Sequence, residues 1–172
     1  ERLRRALAIV RREQPDAVLS VDTYRPSVAR MCVEEFGADI INDVSEGGIT
    51  GIVNTPIHVE ESMFETVARL GVAYILMSVK PDLYSMMKAF AEEVQQLRDL
   101  GVKDVILDPG FGFGKTLEQN YSIMDSLECL HELELPLLVG ISRKSMISRL
   151  LHTDASGALN GTTALNTIAL LK

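Results

Sequence analysis

The sequence predicts an α/β fold with a parallel sheet, of the (β/α)8 barrel kind, on three observations. Short β-rich apolar runs recur along the chain, each followed by a longer stretch with helical spacing, which is the alternation of α/β architectures. The runs are apolar throughout, as strands covered by helices on both faces are. Hydrogen-bonding or charged residues close four of the five, at Asp22, Asn42 and Asp43, Asp108, then Ser142, Arg143 and Lys144, while Met77 and Ser78 end the third run. A barrel builds its site from many strand ends, whereas an open doubly wound sheet gathers a ligand at one switch point.

The expected strands are 17–22, 39–44, 73–77, 104–108 and 136–142. A first helix over 1–13 sets Leu3, Leu7, Ile9 and Val10 against Arg4, Arg5, Arg11 and Arg12, an amphipathic stripe. Pro26 suits a first helical position, and 27–36 continue that helix. Further helices are expected over 62–70 and 81–100, each closed by a glycine, and over 117–133. A barrel of this kind takes about 250 residues. The chain, with 172, therefore reads as a single domain holding the centre of a barrel, without its first strands or its last.

Composition narrows the function. A net charge of −7 argues against a nucleic-acid or anionic-membrane surface. No apolar stretch approaches the roughly 20 residues that span a bilayer, so a cytoplasmic protein is expected. Cys32 and Cys129 lack metal or redox spacing and are expected as buried thiols. His58, His131 and His152 do not cluster with carboxylates, and the methionines read as core filling, although Met77 at a strand end could touch a ring.

The stretch Asp108-Pro109-Gly110-Phe111-Gly112-Phe113-Gly114-Lys115 is the most informative. It is not a phosphate-cradling P-loop, because Pro109 stands where the first glycine belongs. Nor does it fit a dinucleotide fingerprint, since no acidic residue follows a second strand at the required place. What remains is a strand-end carboxylate on a loop of alternating glycines and phenylalanines, suited to a flat, polar heterocycle. Lys144 follows a buried run and would be stabilised beside such a carboxylate. Ser145 opens the next helix, where backbone amides favour an anion. Of Asn42 and Asp43, adjacent in one run, only one can point into the barrel.

The chain resembles the dihydropteroate synthases of the pterin-binding family. The residues that carry the likeness are Ser20-Val21-Asp22-Thr23, Ile40-Ile41-Asn42-Asp43-Val44-Ser45, the Asp108–Lys115 stretch, Leu138-Val139-Gly140-Ile141-Ser142-Arg143-Lys144-Ser145, and Thr162-Thr163-Ala164. The resemblance implies condensation of 6-hydroxymethyl-7,8-dihydropterin pyrophosphate with p-aminobenzoate, giving dihydropteroate and pyrophosphate, with Mg²⁺ as cofactor and sulfonamides as competitors. It implies pterin-binding roles for Asp22, Asn42, Asp108 and Lys144, a place near the aminobenzoate for Phe113, and a homodimer. The family's metal-linked asparagine and its last strand's Arg and His have no counterpart here, and Ser78-Val79-Lys80-Pro81 departs from the usual continuation of its strand. A pterin-dependent methyltransferase of the same superfamily, and a pterin-binding fragment without turnover, are the alternatives.

Overall fold

The computed structural model describes residues 1–46 and 61–172. His58 lies outside the described residues. The chain divides into two compact units, Glu1–Met77 with Val94–Ile106, and Ser78–Glu93 with Leu107–Lys172.

The first unit is built on parallel strands β1 (Ser20–Asp22), β2 (Ile40–Asp43) and β3 (Ala73–Met77), paired in that order. Their register sets Asp22 beside Asn42 and Asp43 beside Leu76. Tyr74 then donates its backbone N–H to Asp104 at the entry to β4 (Val105–Asp108), the fourth strand of the sheet. These four strand positions match the sequence expectation: β3 has the expected bounds, β1 and β4 start later, and β2 is shorter at both ends. In β1 the flanking Ser20 and Asp22 are exposed around buried Val21, so this strand alternates, contrary to the uniform burial expected.

Helices α1 (Arg2–Glu13), α2 (Pro26–Phe36) and α3 (Met63–Leu70) complete this unit. Pro26 takes the first turn of α2, where no N–H is needed, and Gly37 closes the helix at φ +60°, donating to Val33 O. Arg11, on the basic side of the expected amphipathic helix, holds the carbonyls of Phe36, Gly37 and Ala17. It thus ties the end of α2 to the approach to β1. Glu61 gathers Arg69 through two 3.0 Å bonds, with Arg30 and the Thr66 hydroxyl also at 3.0 Å. These donors, Arg69 foremost, hold its carboxyl down to about 2.

In the second unit, Ser78 donates its backbone N–H to Asp108 O. Leu107 in turn accepts from Leu138 N and donates to Pro136 O, a single parallel bridge. The fifth strand expected over 136–142 is therefore reduced to that bridge. Two ladder bonds with β4 position it, and from Ile141 onward the backbone is already turning toward a helix. The helix expected over 117–133 is also broken: α5 (Leu117–Asp125) ends at Ser126 and a 3₁₀ helix covers Leu127–Leu133. Its tighter winding buries Leu127 and Leu130 together and leaves Cys129 exposed, against the expected buried thiol; Cys32 is buried as expected.

Two further helices, α6 (Ser145–Leu150) and α7 (Leu159–Leu171), pack at Gly161. A Cβ there would come 2.3 Å from Ile147 Cγ2, too close for any side chain. Phe111, Ile123, Leu127, Leu130, Ile141, Met146 and Ile147 form the core of this unit. The remaining helix, α4 (Leu83–Asp99), contributes to both units, and no described helix is long and apolar enough to cross a membrane.

Candidate functional site

The sequence-expected residues fall into two groups, one in each unit. In the first, the parallel register brings Asp22 and Asn42 side by side, and Asn42 Nδ2 donates to Asp22 Oδ1 at 2.5 Å. Asn42 Oδ1 is buried and has no hydrogen-bond partner. A buried acceptor left without a donor costs about 1–3 kcal/mol, so it is a group for which a bound N–H would be favourable. Its neighbour Asp43 faces inward, accepting from Ser45 N, Ser45 Oγ and the Tyr74 hydroxyl. The adjacent pair thus splits as strand geometry requires, with Asp43 structural and Asn42 available. Met77 ends β3 fully buried, as packing.

In the second unit, Asp108 ends β4 with 7% of its surface exposed, and its Oδ1 accepts from Gly110 N at 2.8 Å. The loop that follows needs its glycines: Gly110, Gly112 and Gly114 all have φ between +63° and +82°, a region that L-residues with a Cβ disfavour. Phe111 is buried beneath the loop and Phe113 is half-buried.

Two side chains that sequence reasoning passed over fix this loop. Lys115 Nζ donates to the carbonyls of Ser78 at 2.8 Å and Gly110 at 3.1 Å, and more weakly to Phe113. That is a structural use of a lysine which, after Gly114, resembles a phosphate binder. Asn120 Oδ1 accepts from Gly112 N at 2.7 Å, while its Nδ2 donates to Thr116 O and Lys115 O. A sequence signal for Asn120 existed: Thr116 and Gln119 form a capping box that starts α5 and puts Asn120 in its first turn.

Lys144 reaches this loop from the turn before α6. Its Nζ donates to Phe111 O at 2.5 Å and stands 4.8 Å from the centre of the Phe113 ring. Burial pushes its pKa down, and attraction to the Asp108 carboxylate opposes that shift. Gly112 also packs closely, since a Cβ there would come 3.2 Å from Lys144 Cδ and push that side chain by a few tenths of an ångström. Ser145, next along, is exposed and begins α6.

Carboxylate, ammonium and aromatic face together can recognise a flat heterocycle with N–H donors on one edge and a carbonyl acceptor on another. His131 and His152 are exposed. Among the described residues no group of three or more His, Cys, Asp or Glu could hold a metal ion.

The chain is 35% identical to the dihydropteroate synthase of Clostridium beijerinckii over its whole length, covering 64% of that protein. A Yersinia pestis dihydropteroate synthase solved with a pterine-sulfa conjugate superposes with a TM-score of 0.83 at 31% identity, over 96% of this chain and 63% of that one. A Coxiella burnetii dihydropteroate synthase solved in complex with pteroic acid gives 0.81 at 29% identity, over 98% and 65%. The chain thus spans a little under two thirds of the length of these proteins. Their α/β barrel class is the one the sequence predicts. The pterin binding enzyme family matches residues 1–172 from end to end, and the chain belongs to that family.

Proposed function

We propose that this chain carries the pterin-recognising part of a dihydropteroate synthase. The observation that carries the reading is the Lys144 ammonium, fixed on Phe111 O and over the Phe113 ring, on the loop that begins with Asp108. Asp108 accepts a pair of N–H donors from the pterin edge in a charge-assisted, bidentate contact, and Lys144 donates to the ring carbonyl. In the first unit, by the family resemblance, Asn42 takes a pterin-binding role with Asp22 orienting its amide, and its buried Oδ1 is suited to accept an N–H. Phe113 and Ser145 serve the p-aminobenzoate, Phe113 by its face and Ser145 by its exposed hydroxyl.

The reaction breaks the bond between the pterin methylene carbon and the pyrophosphate oxygen, forms one from that carbon to the arylamine nitrogen, and releases the amine's proton. Electron density from the dihydropterin ring, held by the negative Asp108 beside it, favours a dissociative step in which the methylene carbon carries positive charge. No covalent nucleophile is needed, because pyrophosphate is already a competent leaving group. Among the described residues no group of three or more His, Cys, Asp or Glu could hold a metal by itself, and no step is assigned to magnesium through them.

The test is p-aminobenzoate-dependent pyrophosphate release from the dihydropterin pyrophosphate, with direct titration of the pterin beside it. Release, or saturable pterin binding lost in Asp108→Asn, supports the reading. Wild-type pterin affinity in Asp108→Asn contradicts it. A homodimer belongs to the same proposal, and light scattering during size exclusion reads it.

A further inference from the structure

We propose that Thr162, on α7, is a positioning residue that fixes the turn through Arg143 and thereby the place of the Lys144 side chain. The turn closes with Lys144 N donating to Ile141 O at 3.0 Å, and it holds Arg143 at φ +52°. A non-glycine residue in the left-handed region costs roughly 1–2 kcal/mol and persists only where its surroundings determine it. What determines it is one hydrogen bond: the Arg143 backbone N–H donates to Thr162 Oγ1 at 2.8 Å.

The hydroxyl is oriented for that purpose. Its single proton goes to Ala158 O at 3.0 Å, which leaves its lone pairs for Arg143, and the residue is only 6% exposed. Thr163 and Thr167, on the same helix, make only the common back-bond to the carbonyl four residues earlier. Thr162 differs from them in accepting from a second segment. Gly161 lets it reach, since the missing Cβ allows α7 to approach Ile147 of α6 closely. The residue that follows Arg143 is Lys144, whose Nζ sits on Phe111 O over the Phe113 ring. A helix hydroxyl thus sets a backbone turn, and the turn sets an ammonium.

The first test needs no ligand. Competitive amine labelling of the whole chain across pH, read at the Lys144 peptide by mass spectrometry, gives that lysine's apparent pKa; the facing charged group is Asp108. Thr162→Val keeps the shape and removes the acceptor, so the Lys144 value should rise toward the ordinary lysine value of about 10.4 as the side chain becomes solvated. Thr162→Ser should leave it where it is. An unchanged Lys144 profile in a folded Thr162→Val protein overturns the proposal, even if its melting temperature falls. Should that variant not fold, amide exchange in the wild-type chain decides. The Arg143 N–H should be slowed at least about tenfold relative to its exposed neighbours, and fast exchange there overturns the proposal.

The functional consequence rests on the proposed pterin site and is separable from it. Titration with 6-hydroxymethylpterin should show about fivefold to tenfold weaker binding in Thr162→Val and little change in Thr162→Ser. Loss of affinity in Lys144→Ala with none in Thr162→Val overturns the positioning role. Unchanged affinity in Lys144→Ala instead contradicts the pterin reading, and the labelling result still judges Thr162.

Discussion

The two groups of candidate residues solve the same problem in opposite ways. The Asp22 and Asn42 pair comes from bare strand geometry: parallel register sets the two side chains together, and one acceptor is left without a donor. The Asp108 and Lys144 group comes from a constructed loop, with three left-handed glycines, a buried Phe111, and the braces Lys115 and Asn120. There the ammonium already holds a backbone carbonyl and an aromatic face before any ligand arrives. The first region stands ready by being unsatisfied, the second by being rigid. Substitutions should therefore separate stability from affinity in the first region and couple them in the second.

The largest effect is expected at Asp108→Asn, which removes the charge that the proposal pairs with the pterin edge. Pterin affinity should fall by at least tenfold, about 1.4 kcal/mol, measured by calorimetric titration. Gly112→Ala tests the coupling, because it places a Cβ at φ +82° and 3.2 Å from Lys144 Cδ. It should cost about 1–2 kcal/mol of stability in denaturant melts and weaken pterin binding together with it. Asn42→Leu tests the separation. It removes an amide whose Oδ1 is buried without a partner, so stability should hold or rise while pterin affinity falls several-fold. A parallel loss of both would erase the contrast between the regions.

The smallest effect concerns the frame of the first unit. Glu61 is held down to about 2 from an ordinary 4.5 by Arg69, Thr66 and Arg30. A carboxyl depressed by folding contributes stability above its unfolded value and loses it as pH falls through its folded one. The advantage of wild type over Glu61→Gln should thus be full above pH 4.5 and fade between 4.5 and about 2, in thermal melts across that range. Pterin affinity at neutral pH should change little, since Glu61 ties α2 to α3 and touches neither candidate group.

Much of the frame was legible in the chain. Four strands, the Pro26 start of α2 and the glycines after α3 and α4 follow from local chemistry that tertiary packing leaves intact. The break at Ser126 was not legible, because 117–133 keeps helical spacing and the change to 3₁₀ winding is settled by what Leu127 and Leu130 bury. The same holds for 136–142, where an apolar run becomes one bridge because strand character depends on a partner. Within the site, residues expected to act by charge were visible at strand ends. The roles of Lys115 and Thr162 were not, since each acts through a backbone group distant in sequence, and Asn120 could be placed only through the capping box that starts α5.

The most direct test of the account is calorimetric titration of 6-hydroxymethylpterin into the wild-type chain and into Lys144→Met, which keeps the side chain's length and removes its charge. The account predicts saturable binding by the wild type, weakened at least tenfold in Lys144→Met at unchanged fold by circular dichroism. Equal affinity in the two proteins would contradict it, and would mean that the ammonium over Phe113 braces the loop and does not recognise the ring.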